Sequence, residues 1–313
     1  MKFEQLKKSL KEDGAANIYL LVGDDGRVIE KAKETILSLI CDFPELNVTC
    51  FDENADVKAV ANCCRSFPFM SDYRAVVVRD YSGSLDDMSD YFDDPQPTTL
   101  LIFTASSLTA NFSKYAKKTT VVECGKLSDD VLIRYIAKRA AANGSQITRA
   151  AAKLLIDYTL SDLARIENEL DKLCLLCEVV KEEDVKNNVT ADADFKIYEL
   201  SDAISKRQSA NAMKILDSLL ADGFAPGALF GMLENHYRRL MYAVLNKGDG
   251  ELAAKLGVKE GAVYMAMKAS AGMKATALKR TYDLIAEGER AFKNGEISDK
   301  DAIRSVVLTA LNS

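Results

Sequence analysis

The sequence predicts an α/β domain built on a parallel sheet, followed by an all-helical remainder. Three observations carry this reading. Five short runs rich in β-branched residues fall within residues 1–125, and two of them, Ala75-Val76-Val77-Val78 and Leu100-Leu101-Ile102-Phe103, are continuously apolar, as strands buried on both faces are. Helix-spaced segments alternate with the runs, the pattern of a sheet with crossover helices. After Gly125 the strand-like runs stop and only helical spacing remains.

The five predicted strands are 18–22, 48–51, 75–79, 99–104 and 120–123. Residues 28–39 have helical spacing and supply the first crossover, which a parallel pair requires. Five aspartates, Asp86, Asp87, Asp90, Asp93 and Asp94, read as a solvated loop ahead of the fourth strand. Next, Ser128-Asp129-Asp130 caps a helix running to about Ala142, which Asn143-Gly144 ends in left-handed conformation. A second helix follows Thr148. A third places Leu163, Ile166, Leu170 and Leu173 on one apolar stripe, and this three-helix segment closes near Val189. From Phe195 onward the chain reads as helices punctuated by Gly223-Phe224-Ala225-Pro226, Gly248-Asp249-Gly250 and Asn294-Gly295. Ser298-Asp299-Lys300-Asp301 opens the last helix as a capping box with Asp in place of Glu. The resulting division is 1–126, 127–192 and 193–313, in line with a chain of 313 residues.

Composition narrows the class. The chain is 48% hydrophobic and 28% charged, ordinary for a globular protein with a real core. Its start carries no apolar stretch behind the charges and no apolar run reaches the ~18 residues of a membrane span. A soluble, cytoplasmic protein is expected. The net charge of −6 argues against a coat for nonspecific DNA binding, although residues 194–313 carry 17 Lys and Arg against 15 Asp and Glu. The seven cysteines are odd in number and irregular in spacing, which fits reduced thiols. Cys174-x-x-Cys177 has no second pair and no histidine nearby, so two small apolar residues on a helix face are expected there, not a zinc site.

The turn after the first strand is where a phosphate-binding loop would lie. It reads Gly23-Asp24-Asp25-Gly26-Arg27-Val28-Ile29-Glu30-Lys31. Gly23 is in place, but six and seven residues on stand Ile29 and Glu30, not the Lys-Ser/Thr pair of a P-loop. Asp24 and Asp25 would repel phosphate at close range. No strand ends in Asp-Glu; the third gives Val78-Arg79-Asp80-Tyr81. A nucleotide-binding architecture that does not hydrolyse nucleotide is expected. The single histidine, His236, sits among Asn235, Tyr237, Arg238 and Arg239 and reads as a surface helix residue with no catalytic partner. No serine has a nucleophile-elbow setting, and carboxylate arrays for calcium are missing. No active site, metal or cofactor is expected.

One rival signal stands in the last third. Residues 252–264, Leu-Ala-Ala-Lys-Leu-Gly-Val-Lys-Glu-Gly-Ala-Val-Tyr, have the spacing of a helix-turn-helix, and Lys268 and Lys274 follow. A DNA-binding regulator using 252–274 is the alternative function; an ordinary tight turn between packed helices is the bland one.

The whole chain resembles the delta subunit of the bacterial DNA polymerase III clamp loader. The resemblance rests on residues 18–25 (Ile-Tyr-Leu-Leu-Val-Gly-Asp-Asp), on 67–78 (Phe-Pro-Phe-Met-Ser-Asp-Tyr-Arg-Ala-Val-Val-Val), on 162–173, on 197–204 and on the turn Phe292-Lys293-Asn294-Gly295. It implies an AAA+-like core with a degenerate nucleotide loop at Gly23, Asp24, Asp25 and Gly26, then a three-helix lid and a helical collar used for oligomerisation. It also implies a non-catalytic subunit of a DNA-directed DNA polymerase holoenzyme. Such a subunit binds the sliding clamp and holds an interface open for loading onto primed DNA, beside tau/gamma and delta prime subunits. By the same resemblance Phe69 and Met70 make the clamp contact, with Phe67 and Pro68 beside them, and the helix-turn-helix pattern becomes a packing turn of the collar. An aromatic and a flexible thioether on a proline-stiffened turn suit a hydrophobic pocket. Arg74 reads as structural, flanking the third strand.

Overall fold

The computed structural model describes residues 1–40, 42–246, 252–256, 263, 266, 267 and 269–312. The chain divides into two compact units, Met1–Val131 with Asp162–Glu167, and Leu132–Ser161 with Asn168–Ser313.

The first unit is the expected α/β domain. Strands β1 (Ile18–Val22), β2 (Val48–Phe51), β3 (Arg74–Val78), β4 (Thr99–Ala105) and β5 (Thr120–Glu123) form one sheet in the order β2-β3-β4-β1-β5. Every pairing is parallel, with Val76 opposite Leu101 and Leu20 opposite Phe103. All seven residues of β4 are buried, which explains why its sequence shows no alternation. Side chains nevertheless divide by parity: Ile18, Leu20, Val76, Val78, Leu101 and Phe103 enter one core cluster. Their neighbours Tyr19, Leu21, Ala75, Val77, Leu100 and Ile102 are equally buried and point to the opposite face.

Helices α1 (Phe3–Glu12), α2 (Gly26–Leu37), α3 (Pro44–Asn47) and α4 (Val57–Cys64) lie among the first three strands. Val28, Ala32 and Ile36 form the buried stripe of α2. The aspartate cluster is not a loop: a 3-10 turn, Asp86–Met88, leads into α5 (Ser89–Asp93), which buries Met88, Tyr91 and Phe92 while the aspartates stay exposed. Apolar residues interleaved with the acids supplied the helix. Asp86 pairs with Lys114 and Asp93 with Lys118, on and just after α6 (Ala110–Tyr115).

Next come α7 (Asp129–Ala142), α8 (Arg149–Tyr158), α9 (Leu163–Leu176) and α10 (Glu182–Asn188). Leu163, Ile166, Leu170 and Leu173 are all buried, and Gly144 has φ +80, as the stripe and the C-cap predict. Strands do not stop after Gly125, however. Gln146–Ile147 and Val179–Val180 pair in parallel as β6 and β7; two residues are too few to show a period. The first unit also takes in the opening turn of α9, through Glu167.

The remaining helices are α11 (Ala193–Ser205), α12 (Ser209–Ala221), α13 (Pro226–Leu245), α14 (Leu252–Leu256), α15 (Ala275–Lys293) and α16 (Asp299–Leu311). Their core joins Leu200, Leu216, Phe230, Leu240, Ile285 and Ile303. Gly288 on α15 is required by packing: a Cβ there would lie 2.2 Å from Cγ2 of Val306. The capping box at α16 differs from expectation. Ser298 is the N-cap, but its hydroxyl donates to the Asp301 carboxylate at 2.7 Å and does not cap a backbone N–H.

Candidate partner-binding site

Two loops of the α/β unit were singled out by sequence, and they sit at opposite edges of the parallel sheet. Gly23–Gly26 follows the carboxyl end of β1, whereas residues 67–70 precede the amino end of β3.

At the carboxyl edge the chain supplies its own partners to the groups a ligand would use. A Cβ on Gly23 would lie 2.2 Å from the Cys124 carbonyl oxygen, so this glycine serves the close approach of two strand ends. Asp25 is the N-cap of α2, and its Oδ1 accepts the N–H groups of Arg27 and Val28 at 3.0 and 3.1 Å. Those are the donors an anion at a helix N-terminus would use. Burial pushes the Asp25 carboxyl up, the two amides pull it back, and the nearby Asp162 and Asp24 raise it further. The cations of the first turns of α2 are engaged as well. Arg27 Nε and Lys31 Nζ bind the two oxygens of Glu167 at 2.7 and 2.9 Å, and the Glu167 side chain is only 5% exposed. Two positive side chains that could face phosphate instead hold a buried carboxylate, and Asp25 fills the amide site.

The amino edge is the reverse. Phe67, Phe69 and Met70 are 76%, 52% and 74% exposed, in an irregular loop between α4 and β3. The short helix α3 ahead of β2, with its N-cap, adds exposed Leu46 and Phe43. The Phe43 and Phe69 rings meet edge to face with centroids 5.9 Å apart, a favoured aromatic geometry. Phe43 and Met70 both have left-handed backbones, φ 47 and 49, a conformation bulky residues hold only where the surroundings impose it. The tie is Asn47, only 1% exposed. Its Oδ1 accepts the Phe69 N–H at 2.7 Å, while its Nδ2 donates to the carbonyls of Phe69, Phe43 and Asp42 at 2.9, 3.1 and 3.1 Å. Behind the patch Arg74, half-buried at the start of β3, donates to Thr49 Oγ1 at 3.2 Å. That is the structural role read from sequence. Phe43, Leu46, Phe67, Phe69 and Met70 thus leave apolar side chains uncovered at this edge.

A family model for the DNA polymerase III delta subunit matches residues 19–125, and one for the C-terminal domain of that subunit matches residues 194–310. The chain belongs to the DNA polymerase III delta subunit family. The delta subunit of Escherichia coli K12 is 24% identical over 250 residues, covering 74% of this chain and 71% of that protein. A solved DNA clamp loader delta protein from Bacillus subtilis shares the fold, with a TM-score of 0.71, 21% identity, and coverage of 99% of this chain and 100% of that one.

Membership makes this a DNA replication protein, a non-catalytic clamp-loader subunit of the polymerase III holoenzyme. Both loops fall inside the first delta match and the helix-turn-helix pattern inside the second, so the DNA-regulator alternative falls. Of that pattern, residues 257–262, 264, 265 and 268 lie outside the described residues; Leu252, Val263 and Ala266 are buried. Ala266 belongs to the helical core and Met267 packs against it.

His236 is corrected by the structure. It is 1% exposed, on the buried face of α13, with the Tyr198 ring edge to face at 4.6 Å. Burial, reinforced by the Arg239 charge, pulls its imidazole down to about 3, so it is a neutral core residue. Among the described residues, no helix is long and apolar enough to cross a membrane.

Proposed function

We propose that this chain binds one protomer of the ring-shaped sliding clamp through Phe69 and Met70, with Phe67 and Pro68 beside them, and holds a clamp interface open for loading onto primed DNA. The observation that carries this is the exposed apolar patch at the amino edge of the sheet, while the loop at the opposite edge has its helix amides capped by Asp25. Aromatic and thioether anchors of this kind dominate binding energy when they enter a pocket. The loop shifts the clamp toward an open interface only by its preference for that state. In this reading 1–126 is the clamp-binding core, 127–192 the lid and 193–313 the collar. The collar joins tau/gamma and delta prime subunits in a cytoplasmic assembly whose ATPase activity lies with the partners.

The test is surface plasmon resonance between the chain and the sliding clamp from the same source, with Phe69→Ala/Met70→Ala alongside. Binding by the native chain and its loss in the folded double variant support the site. Equal affinity in the two removes it.

A further inference from the structure

The loop that carries Phe69 and Met70 has no regular secondary structure of its own, yet its middle is held by one side chain from the short helix α3. Asn47, the last residue of α3, turns its amide to backbone: Oδ1 accepts the Phe69 N–H, and the two Nδ2 hydrogens are shared among the carbonyls of Phe69, Phe43 and Asp42. The paired bonds to both polar groups of Phe69 copy the contact a neighbouring strand would make, and they fix the φ/ψ values that aim residues 69 and 70 outward. The same amide holds Phe43, whose ring abuts Phe69. A bracket of this kind reduces the ordering cost of docking, since the loop's conformational entropy is already spent in the unbound chain.

We propose that Asn47 is a positioning residue for clamp docking: it welds the loops ahead of β2 and β3 into one preset platform, so that Phe43 joins Phe69 and Met70 at the clamp surface. The proposal rests on the clamp-binding reading above. Its partner is the apolar pocket that would receive Phe69, because Phe43 extends the same uncovered surface without a break. Phe67, exposed and outside the bracket, is not preset by it.

The experiment is a double-mutant cycle on clamp affinity, with native, Asn47→Ala, Phe69→Ala and the combined variant of the full chain. Circular dichroism first establishes that each is folded at the temperature of measurement. The expected result is an affinity loss of about tenfold for Asn47→Ala in the native background and less than about twofold in the Phe69→Ala background, since residues acting through one another are not additive. Phe43→Ala, which leaves the bracket bonds in place, is expected to weaken binding about threefold. Equal losses from Asn47→Ala in both backgrounds, or native affinity for both Asn47→Ala and Phe43→Ala, overturn the proposal. Phe69→Ala/Met70→Ala distinguishes the two failures: if that variant binds as the native chain does, the clamp-site reading fails, and if it loses binding while Asn47→Ala keeps it, only the bracket fails. Should Asn47→Ala not fold, amide hydrogen exchange on the native chain decides. Protection of the Phe69 N–H supports the bracket, and exchange at the unstructured rate overturns it.

Discussion

The two edges of one parallel sheet have been given opposite treatments. At the carboxyl edge, where α/β proteins bind ligands by default, the helix amides are capped by Asp25 and the cations Arg27 and Lys31 hold Glu167. At the amino edge, Phe67, Phe69 and Met70 are left open on a loop held by a buried amide. A nucleotide site needs unsatisfied donors; a protein-docking site needs uncovered apolar area. Each edge lacks what the other has.

Four substitutions or conditions break or sharpen this contrast. The largest effect belongs to the amino edge: Phe69→Ala/Met70→Ala should lower clamp affinity on the order of a hundredfold or more, because buried anchors cost about 2 kcal/mol or more each. Its melting temperature should stay near native, as both side chains are exposed. At the carboxyl edge the pattern inverts. Gly23→Ala forces a Cβ onto the Cys124 carbonyl and should cost about 3 kcal/mol of stability by denaturant unfolding. Clamp affinity of its folded fraction should be unchanged.

A third effect lies in the helical unit and sets the pH window for such measurements. His236 has a folded pKa near 3, below the usual ~6.5. The unfolded chain therefore binds more protons between those values, and stability rises with pH through that window. It should fall by ~1.4 kcal/mol for each pH unit below about 6.5. His236→Phe should flatten that slope in denaturation curves taken at successive pH values. The smallest effect is Asp25→Asn. The amide keeps the cap on Arg27 and Val28 but removes a charge that burial and two other aspartates disfavour. Stability should rise slightly with no gain of ATP turnover, read by calorimetric melting and a phosphate-release assay.

Much of the frame was legible in the sequence because its signals are periodic. The runs at 75–79 and 99–104 became central strands β3 and β4, displaced by at most a residue, and the stripe from Leu163 to Leu173 is buried as read. His236 was misjudged from its charged neighbours, although its spacing from Leu233 and Leu240 places it on their face. Periodicity along the helix outweighs adjacency. Phe69 and Met70 were named by resemblance, not by pattern, since an exposed Phe and a core Phe look alike in one sequence. Asn47, Phe43 and Leu46 left no signal. A buried amide bonding to backbone 22 residues away is indistinguishable from any turn asparagine until the loops are folded together.

The central claim is that partner binding resides at the amino edge and owes nothing to nucleotide at the other. It is tested most directly by calorimetric titration of the native chain with the sliding clamp, in the presence and absence of magnesium and ATP. The account predicts the same affinity in both. An affinity that appears or strengthens only with ATP would contradict it, because the loop sealed by Asp25 and Glu167 would then be a working nucleotide site.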